Sequence, residues 1–230
     1  MSDLAQERVD HSERAAAIER IVARYRRWRH RRYVRGKLKW DPMFDAALPL
    51  FAHSKRPLLD IGCGLGLLGQ HLRECGGRAP YVGLDPDGAK IDEARAAATA
   101  GALDFDFVKV DAASLPPFSG DVALIDVLHY LPEDRQQQVL ANAASRVAPD
   151  GVLVIRNVLR DASWRFGVTV AEERFLAALG WMRFATSHFP RRGDIESPLA
   201  ALGFDVRIEP LWGRTPFNSY LIVARRAPFA

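Results

Sequence analysis

Four aspartates, Asp60, Asp85, Asp111 and Asp126, each close a short apolar run, and His129 follows the last of them by three positions in "DVLHYLP". Between the first two lie four glycines, Gly62, Gly64, Gly66 and Gly69, in "LLDIGCGLGLLGQHL". Glycines lack Cβ, so a ligand can come against the backbone there. Asp85 lies 23 positions after Gly62, where a carboxylate can accept from both hydroxyls of a ribose. Asp111 could accept from the amino group of an adenine. An imidazole titrates near neutrality, so His129 could take a proton from a phenol. Each residue also has an ordinary reading: Asp caps helices after strands, glycines make tight turns, and His129 can pack on the next helix.

These side chains meet only if the elements around them converge. Residues from about 12 to 35 read as one or two helices, with Ile18, Ile21, Val22, Tyr25 and Trp28 at helical spacing. A short helix is expected between Pro42 and Phe51. A strand in "PLLDIG" then enters the glycine loop and a helix from about Gly66 to Cys75. "PYVGLDPD" gives a second strand ending in Asp85, followed by the helix "DGAKIDEARAAATAGA". "DFDFVKVDAASLP" holds a third strand ending in Asp111. "GDVALIDVLHYLP" holds a fourth, followed by the helix "PEDRQQQVLANAASRVAP", and "GVLVIRNVLR" gives a fifth. Strands alternating with helices predict a doubly wound α/β fold, a mostly parallel sheet with helices on both faces. Uninterrupted apolar strands suit burial on both sides. A mixed helical stretch over about 161–203 leads to "FDVRIEPLW" and "NSYLIVARR", which predict an antiparallel hairpin at the sheet edge.

At 230 residues and 48% hydrophobic, the chain can bury one sizeable core. Its apolar runs are shorter than a membrane span requires, and its polar, acidic start lacks a secretory signal. Two cysteines, Cys63 and Cys75, lack zinc-ligand spacing, and the six histidines are scattered, so no metal is expected. A cytoplasmic location is expected. The net charge of +4 is uneven: Arg20 to Lys39 holds ten Lys or Arg and no acid, leaving 22 basic against 28 acidic residues elsewhere. In that segment arginines interleave with Tyr25, Trp28 and Tyr33. It would suit RNA, an anionic membrane surface or an acidic partner, or be a solvated helix face.

The loop spacing is G-x-G-x-G. The dinucleotide fingerprint is G-x-G-x-x-G, and its third glycine position is Leu67 here, which argues against a nicotinamide cofactor.

Taken together, "LLDIGCGLG", "YVGLDPD", "VKVDAASLP", "DVALIDVLHYL", "GVLVI" and the closing hairpin resemble the class I S-adenosylmethionine-dependent methyltransferases. The resemblance covers residues 55 to 160 well and 203 to 226 in outline. It implies a seven-stranded sheet and S-adenosyl-L-methionine as cofactor. By that resemblance Gly62, Gly64 and Gly66 meet the methionine part, Asp60 lies near its ammonium, Asp85 holds the ribose and Asp111 the adenine amino group. Pro86 and Ala112 join these contacts, and Asp126 borders the loop between cofactor and acceptor. His129 is the candidate base and Tyr130 a wall of the acceptor pocket; His188, Asn157, Phe189, Arg191 and Arg192 are weaker candidates. Residues 1–54 form a basic helical extension covering the site. Residues 55–230 form the cofactor-binding domain, with an acceptor-side insertion at about 161–203. The expected reaction is O- or C-methylation of a small organic, lipid-like or carrier-bound acceptor, where Arg35 and Lys37 could touch an anionic group. An RNA methyltransferase is the first alternative, a nicotinamide oxidoreductase the second and a non-catalytic binding protein the third. Against RNA, the Asn/Asp-Pro-Pro-aromatic motif of amino-methylating enzymes is missing after the fourth strand.

Overall fold

The tetrapeptide "LLDI" becomes a central strand, β1 (Leu58–Ile61), with every position buried in the computed structural model, which describes residues 11–178 and 188–226. The preceding elements are α1 (His11–Ala23), α2 (Trp28–Trp40) and α3 (Met43–Phe51). After β1 come α4 (Leu67–Glu74), β2 (Tyr81–Asp85), α5 (Gly88–Ala100), β3 (Phe105–Lys109), β4 (Asp121–Ile125), a single 3-10 turn (Leu128–Tyr130), α6 (Glu133–Ser145) and β5 (Val152–Val158). The chain closes with α7 (Trp164–Ala178), α8 (Arg192–Ala201), β6 (Phe204–Pro210) and β7 (Ser219–Arg226).

The sheet runs β3-β2-β1-β4-β5-β7-β6. β1 pairs in parallel with both β2 and β4, so the strand order reverses beside the glycine loop, the position where doubly wound sheets bind ligands. β7 lies antiparallel between β5 and β6, forming the expected edge hairpin.

Side chains alternate across the sheet with period two. Leu59, Ile61, Val122, Leu124, Leu153 and Ile155 face α6 and α8. Leu58, Ala123, Val152 and Val154 face the layer of α3, α4 and α5. The N-terminal helices bury a third cluster, in which Ile21, Val22, Tyr25, Val34 and Leu38 meet Leu65, Leu67 and Ala97. The Tyr25 hydroxyl donates to the Leu65 carbonyl at 2.7 Å and accepts from Gln70 at 2.7 Å, tying these helices to the glycine loop.

Three sequence expectations need correcting. α2 continues to Trp40 rather than stopping near residue 35: Gly36 does not end it, because Val34 and Leu38 on either side are fully buried and hold the helix on the domain until Asp41-Pro42. β3 ends at Lys109, not Asp111: the Asp111 side chain accepts from the Ala113 amide at 2.8 Å and turns the chain. β3 is also exposed at several positions, as an edge strand is, so two-sided burial describes only the inner strands. Residues 1–10, and 179–187 of the expected insertion, lie outside the described residues. Among the described residues no helix is long and apolar enough to cross a membrane.

Candidate active site

The four glycines have different physical reasons. Gly62, Gly64 and Gly66 hold φ of +78°, +55° and +73°, the left-handed region glycine adopts without penalty. A Cβ on Gly62 would fall 2.3 Å from Val127, and one on Gly66 would fall 2.7 Å from the Phe107 ring. A Cβ on Gly69 would meet the Tyr81 ring at 2.7 Å. At Gly64 it would meet nothing within 4 Å. Three glycines therefore make room for the protein's own side chains, and Gly64 alone faces open space. Gly66 also starts α4 without a side-chain cap, so the first amides of that helix remain available to an anion.

The acids split in the same way. Asp85 is 5% exposed, and its carboxylate accepts from the Gly64 amide at 3.0 Å and the Asp87 amide at 2.8 Å. It fixes the loop and keeps lone pairs for a further donor. Asp60 is fully buried and accepts from the Tyr81 hydroxyl at 2.6 Å; burial pushes its carboxyl up to about 7. Asp111 is exposed and paired with Arg135 at 3.3 Å. Pro86 is exposed and Ala112 half-buried, each beside its aspartate.

Asp126 belongs to a four-charge cluster. It holds φ of +57°, rare for a residue with a side chain. Arg156 donates to it from β5. Lys37 of α2 stands 3.6 Å from Asp126 and 2.8 Å from Asp41, and Arg156 is 3.4 Å from Asp41. Burial opposes the charges of Lys37, Arg156 and Asp41, yet Asp126 and Asp41 hold Lys37 and Arg156 above their usual range, and Arg156 and Lys37 hold Asp41 below its own. Arg35, in contrast, points outward to Glu19 at 2.6 Å.

His129 is 2% exposed, in the 3-10 turn after β4. Its Nδ1 lies 2.9 Å from Asn157 Oδ1. The Asn157 amide nitrogen donates to the Val158 carbonyl at 2.8 Å, which orients the amide with its oxygen toward the ring. Nδ1 therefore carries the proton, and Nε2 is left as the basic nitrogen. The His129 ring stacks on Phe189 at 6.0 Å and 13°, and its centroid is 4.2 Å from Tyr130. Phe166 of α7 meets Phe189 edge-on at 5.2 Å. Burial, with Glu173 and Asp126 nearby, raises the Tyr130 hydroxyl above its usual range. The His188 amide donates to the His129 carbonyl at 3.3 Å, so these two candidates meet through backbone. Arg191 caps α8 through its backbone amide, which donates to Asp194 at 2.8 Å, and Arg192 pairs with Glu196.

A cavity of about 710 Å³ lies elsewhere, at the amino ends of β2 and β3 between Arg24, Arg73 and Asp104. Neither the glycine loop nor Asp60, Asp85, Asp111, Asp126 or His129 lines it; Tyr81 does, but its hydroxyl points inward to Asp60. Among the described residues no group of three or more His, Cys, Asp or Glu is placed to hold a metal.

Sequence reasoning missed Tyr81, Asp41 and Arg156. Arg156 had a visible signal, a lone cation inside the apolar "GVLVIRNV". Tyr81 and Asp41 had none, since their importance comes from Asp60 and Lys37, distant in sequence.

The pattern described as "Methyltransferase domain" matches residues 58–151, from the first residue of β1 to the residue before β5. The "Ubiquinone biosynthesis O-methyltransferase" of Rhizobium rhizogenes is 30% identical over 196 residues, covering 76% of both chains. The chain belongs to the class I S-adenosylmethionine-dependent methyltransferases. A protein of the same description from Idiomarina loihiensis is 26% identical over 139 residues, 59% of this chain and 55% of that one. The chain thus spans about half the length of that relative. Its fold is similar to magnesium protoporphyrin IX methyltransferase from Synechocystis PCC 6803, solved with bound SAH, at TM-score 0.65 and 21% identity, covering 93% and 94% of the two chains.

The family's cofactor is S-adenosyl-L-methionine, and several features of this chain fit it. Gly64 leaves open space at the strand-order reversal, α4 presents uncapped amides, and Asp85 keeps lone pairs beside them. The nicotinamide reading has no support left.

Proposed function

We propose that the chain methylates a hydroxyl oxygen of a small aromatic acceptor. The observation that carries this reading is the His129–Asn157 pair, which leaves Nε2 basic inside a group of aromatic rings. When bound, S-adenosyl-L-methionine supplies a methyl group on a positively charged sulfur.

In this reading Gly64 and the start of α4 receive the cofactor carboxylate, Asp60 stands near its ammonium, Asp85 accepts from the ribose and Asp111 from the adenine amino group. Pro86 and Ala112 flank those two acids. Tyr130, Phe166 and Phe189 hold a flat acceptor by ring contacts. His129 would take the hydroxyl proton on Nε2. Asn157 keeps its bond to Nδ1–H, so the ring neither flips nor changes tautomer. Holding the oxygen in line with the methyl can contribute ~7–11 kcal/mol, so positioning by the rings outweighs the base. Asp126, held by Arg156 and Lys37, fixes the turn that carries His129. Residues 1–54 cover the site, and the 161–203 stretch supplies its acceptor side. Two free cysteines suit a cytoplasmic setting.

The O-methyltransferase relatives support oxygen over carbon as the target. The test is label transfer from methyl-labelled S-adenosyl-L-methionine to a panel of phenols, catechols and carrier-bound acyl chains. Label in a phenolic methyl ether is the expected result. Label only at carbon, or only on acyl carriers, would overturn the acceptor reading.

A further inference from the structure

α2 shows two different faces. Val34 and Leu38 are fully buried against the domain. On the opposite side, at helical spacing, stand Trp28, Arg29, Arg32, Tyr33, Lys39 and Trp40. The three rings are exposed to 62%, 50% and 63% for Trp28, Tyr33 and Trp40. α2 contains no acidic residue. Among the described residues Arg29, Arg32 and Lys39 have no carboxylate partner; instead Arg29 and Arg32 lie 5.6 and 5.9 Å from the Trp28 ring, and Lys39 lies 4.9 Å from Trp40.

We propose that this face docks the protein on an anionic lipid bilayer. Indole and phenol rings are apolar with one polar atom, and they settle at the boundary between headgroups and acyl chains. Arginine and lysine stems cover apolar surface while their charged ends reach lipid phosphates. A helix with both on one face, and its apolar side chains satisfied by its own domain on the other, lies flat in that boundary without unfolding. Charge complementarity is local: the six surface residues bring three cations, while the rest of the chain outside Arg20–Lys39 is net acidic. A convex helix fits a planar bilayer better than it fits duplex RNA, whose major groove is too narrow and deep for side chains to read. The face also adjoins the site. Lys37, on the flank of the same helix, is 3.6 Å from Asp126, and Tyr33 is close enough to bear on the charge state of both Lys37 and Tyr130. Docking on α2 therefore brings the end of β4 near the membrane surface. This holds whatever the acceptor is.

The test is co-sedimentation of the full chain with phosphatidylcholine vesicles, with or without about one third phosphatidylglycerol. At least tenfold stronger binding to the anionic vesicles is expected, with a blue shift of tryptophan emission. Both Trp28→Ala/Trp40→Ala and Arg29→Glu/Arg32→Glu should lose it about tenfold while melting at the wild-type temperature, because none of the four side chains is buried. Equal binding to both vesicles, no binding to either, or unaltered binding by the variants would overturn the proposal. A single-stranded RNA oligonucleotide that displaces the protein from vesicles would reassign the face to nucleic acid.

Discussion

Nδ1 of His129 and Oδ1 of Asn157 are 2.9 Å apart, with the Asn157 amide fixed from its other side by the Val158 carbonyl. A histidine three residues after β4 and an asparagine inside β5 thus act as one unit. His129→Ala should lower kcat by ~10²–10⁴-fold, the usual worth of a positioned base, without changing cofactor affinity. Asn157→Leu should lower kcat by less and shift its pH profile, because the tautomer is no longer fixed. Steady-state kinetics across pH checks both, and an unaltered kcat for His129→Ala would leave positioning as the whole of the catalysis.

Asp85 is the acid held closest to the glycine loop, through the Gly64 amide at 3.0 Å. Asp85→Ala should weaken S-adenosyl-L-methionine binding more than tenfold by calorimetric titration. An unchanged titration would remove the ribose assignment.

Gly64 and Gly69 give a matched contrast. In Gly69→Ala the new methyl meets the Tyr81 ring at 2.7 Å, and overpacking should cost about 1–3 kcal/mol in urea unfolding. In Gly64→Ala there is no clash, only backbone strain at φ +55°, about 1–2 kcal/mol. That variant should stay folded and lose cofactor affinity, because the methyl occupies the open space beside Asp85.

Two buried groups pull stability in opposite directions over one pH range. Asp60 is raised by burial from 3.8 to about 7, so the folded state binds the extra proton and stability falls as pH rises from about 4 to 7. His71 is lowered by burial from 6.5 to about 4, so the unfolded state binds the extra proton and stability rises with pH up to about 6.5. Asp60→Asn should therefore make stability climb more steeply with pH than in the wild type, and His71→Gln should make it fall. Urea unfolding at a series of pH values reads both slopes.

Arg156 holds two carboxylates in a largely buried setting. Arg156→Met should cost about 3–5 kcal/mol, because Asp41 and Asp126 are left with Lys37 alone. Arg35→Ala removes only the exposed pair with Glu19 and should leave thermal unfolding unchanged.

The strands and helices of the sheet and the edge hairpin were legible because period-two and helical patterns are local. So were the glycine loop and Asp85, whose spacing follows from one strand–helix–strand unit. Asp111 was placed two residues too early relative to the strand end, since an aspartate that turns the chain looks the same as one that closes a strand. Tyr81 was invisible because its role needs Gly69 to clear its ring and Asp60 to accept the hydrogen bond from its hydroxyl. His129, Asn157 and His188 were each noticed, but nothing in the sequence joined them. Their meeting depends on β4 lying beside β5, and on the chain returning past α7 to place His188 against the turn.

The cluster of Lys37, Asp41, Asp126 and Arg156 links α2 to β5 across the whole first half of the fold. During synthesis Asp41 and Lys37 leave the ribosome long before Arg156 exists. Until β5 is made, Lys37, Asp41 and Asp126 lack their second cation, so the charge cluster that ties α2 to the sheet closes only once β5 is in place.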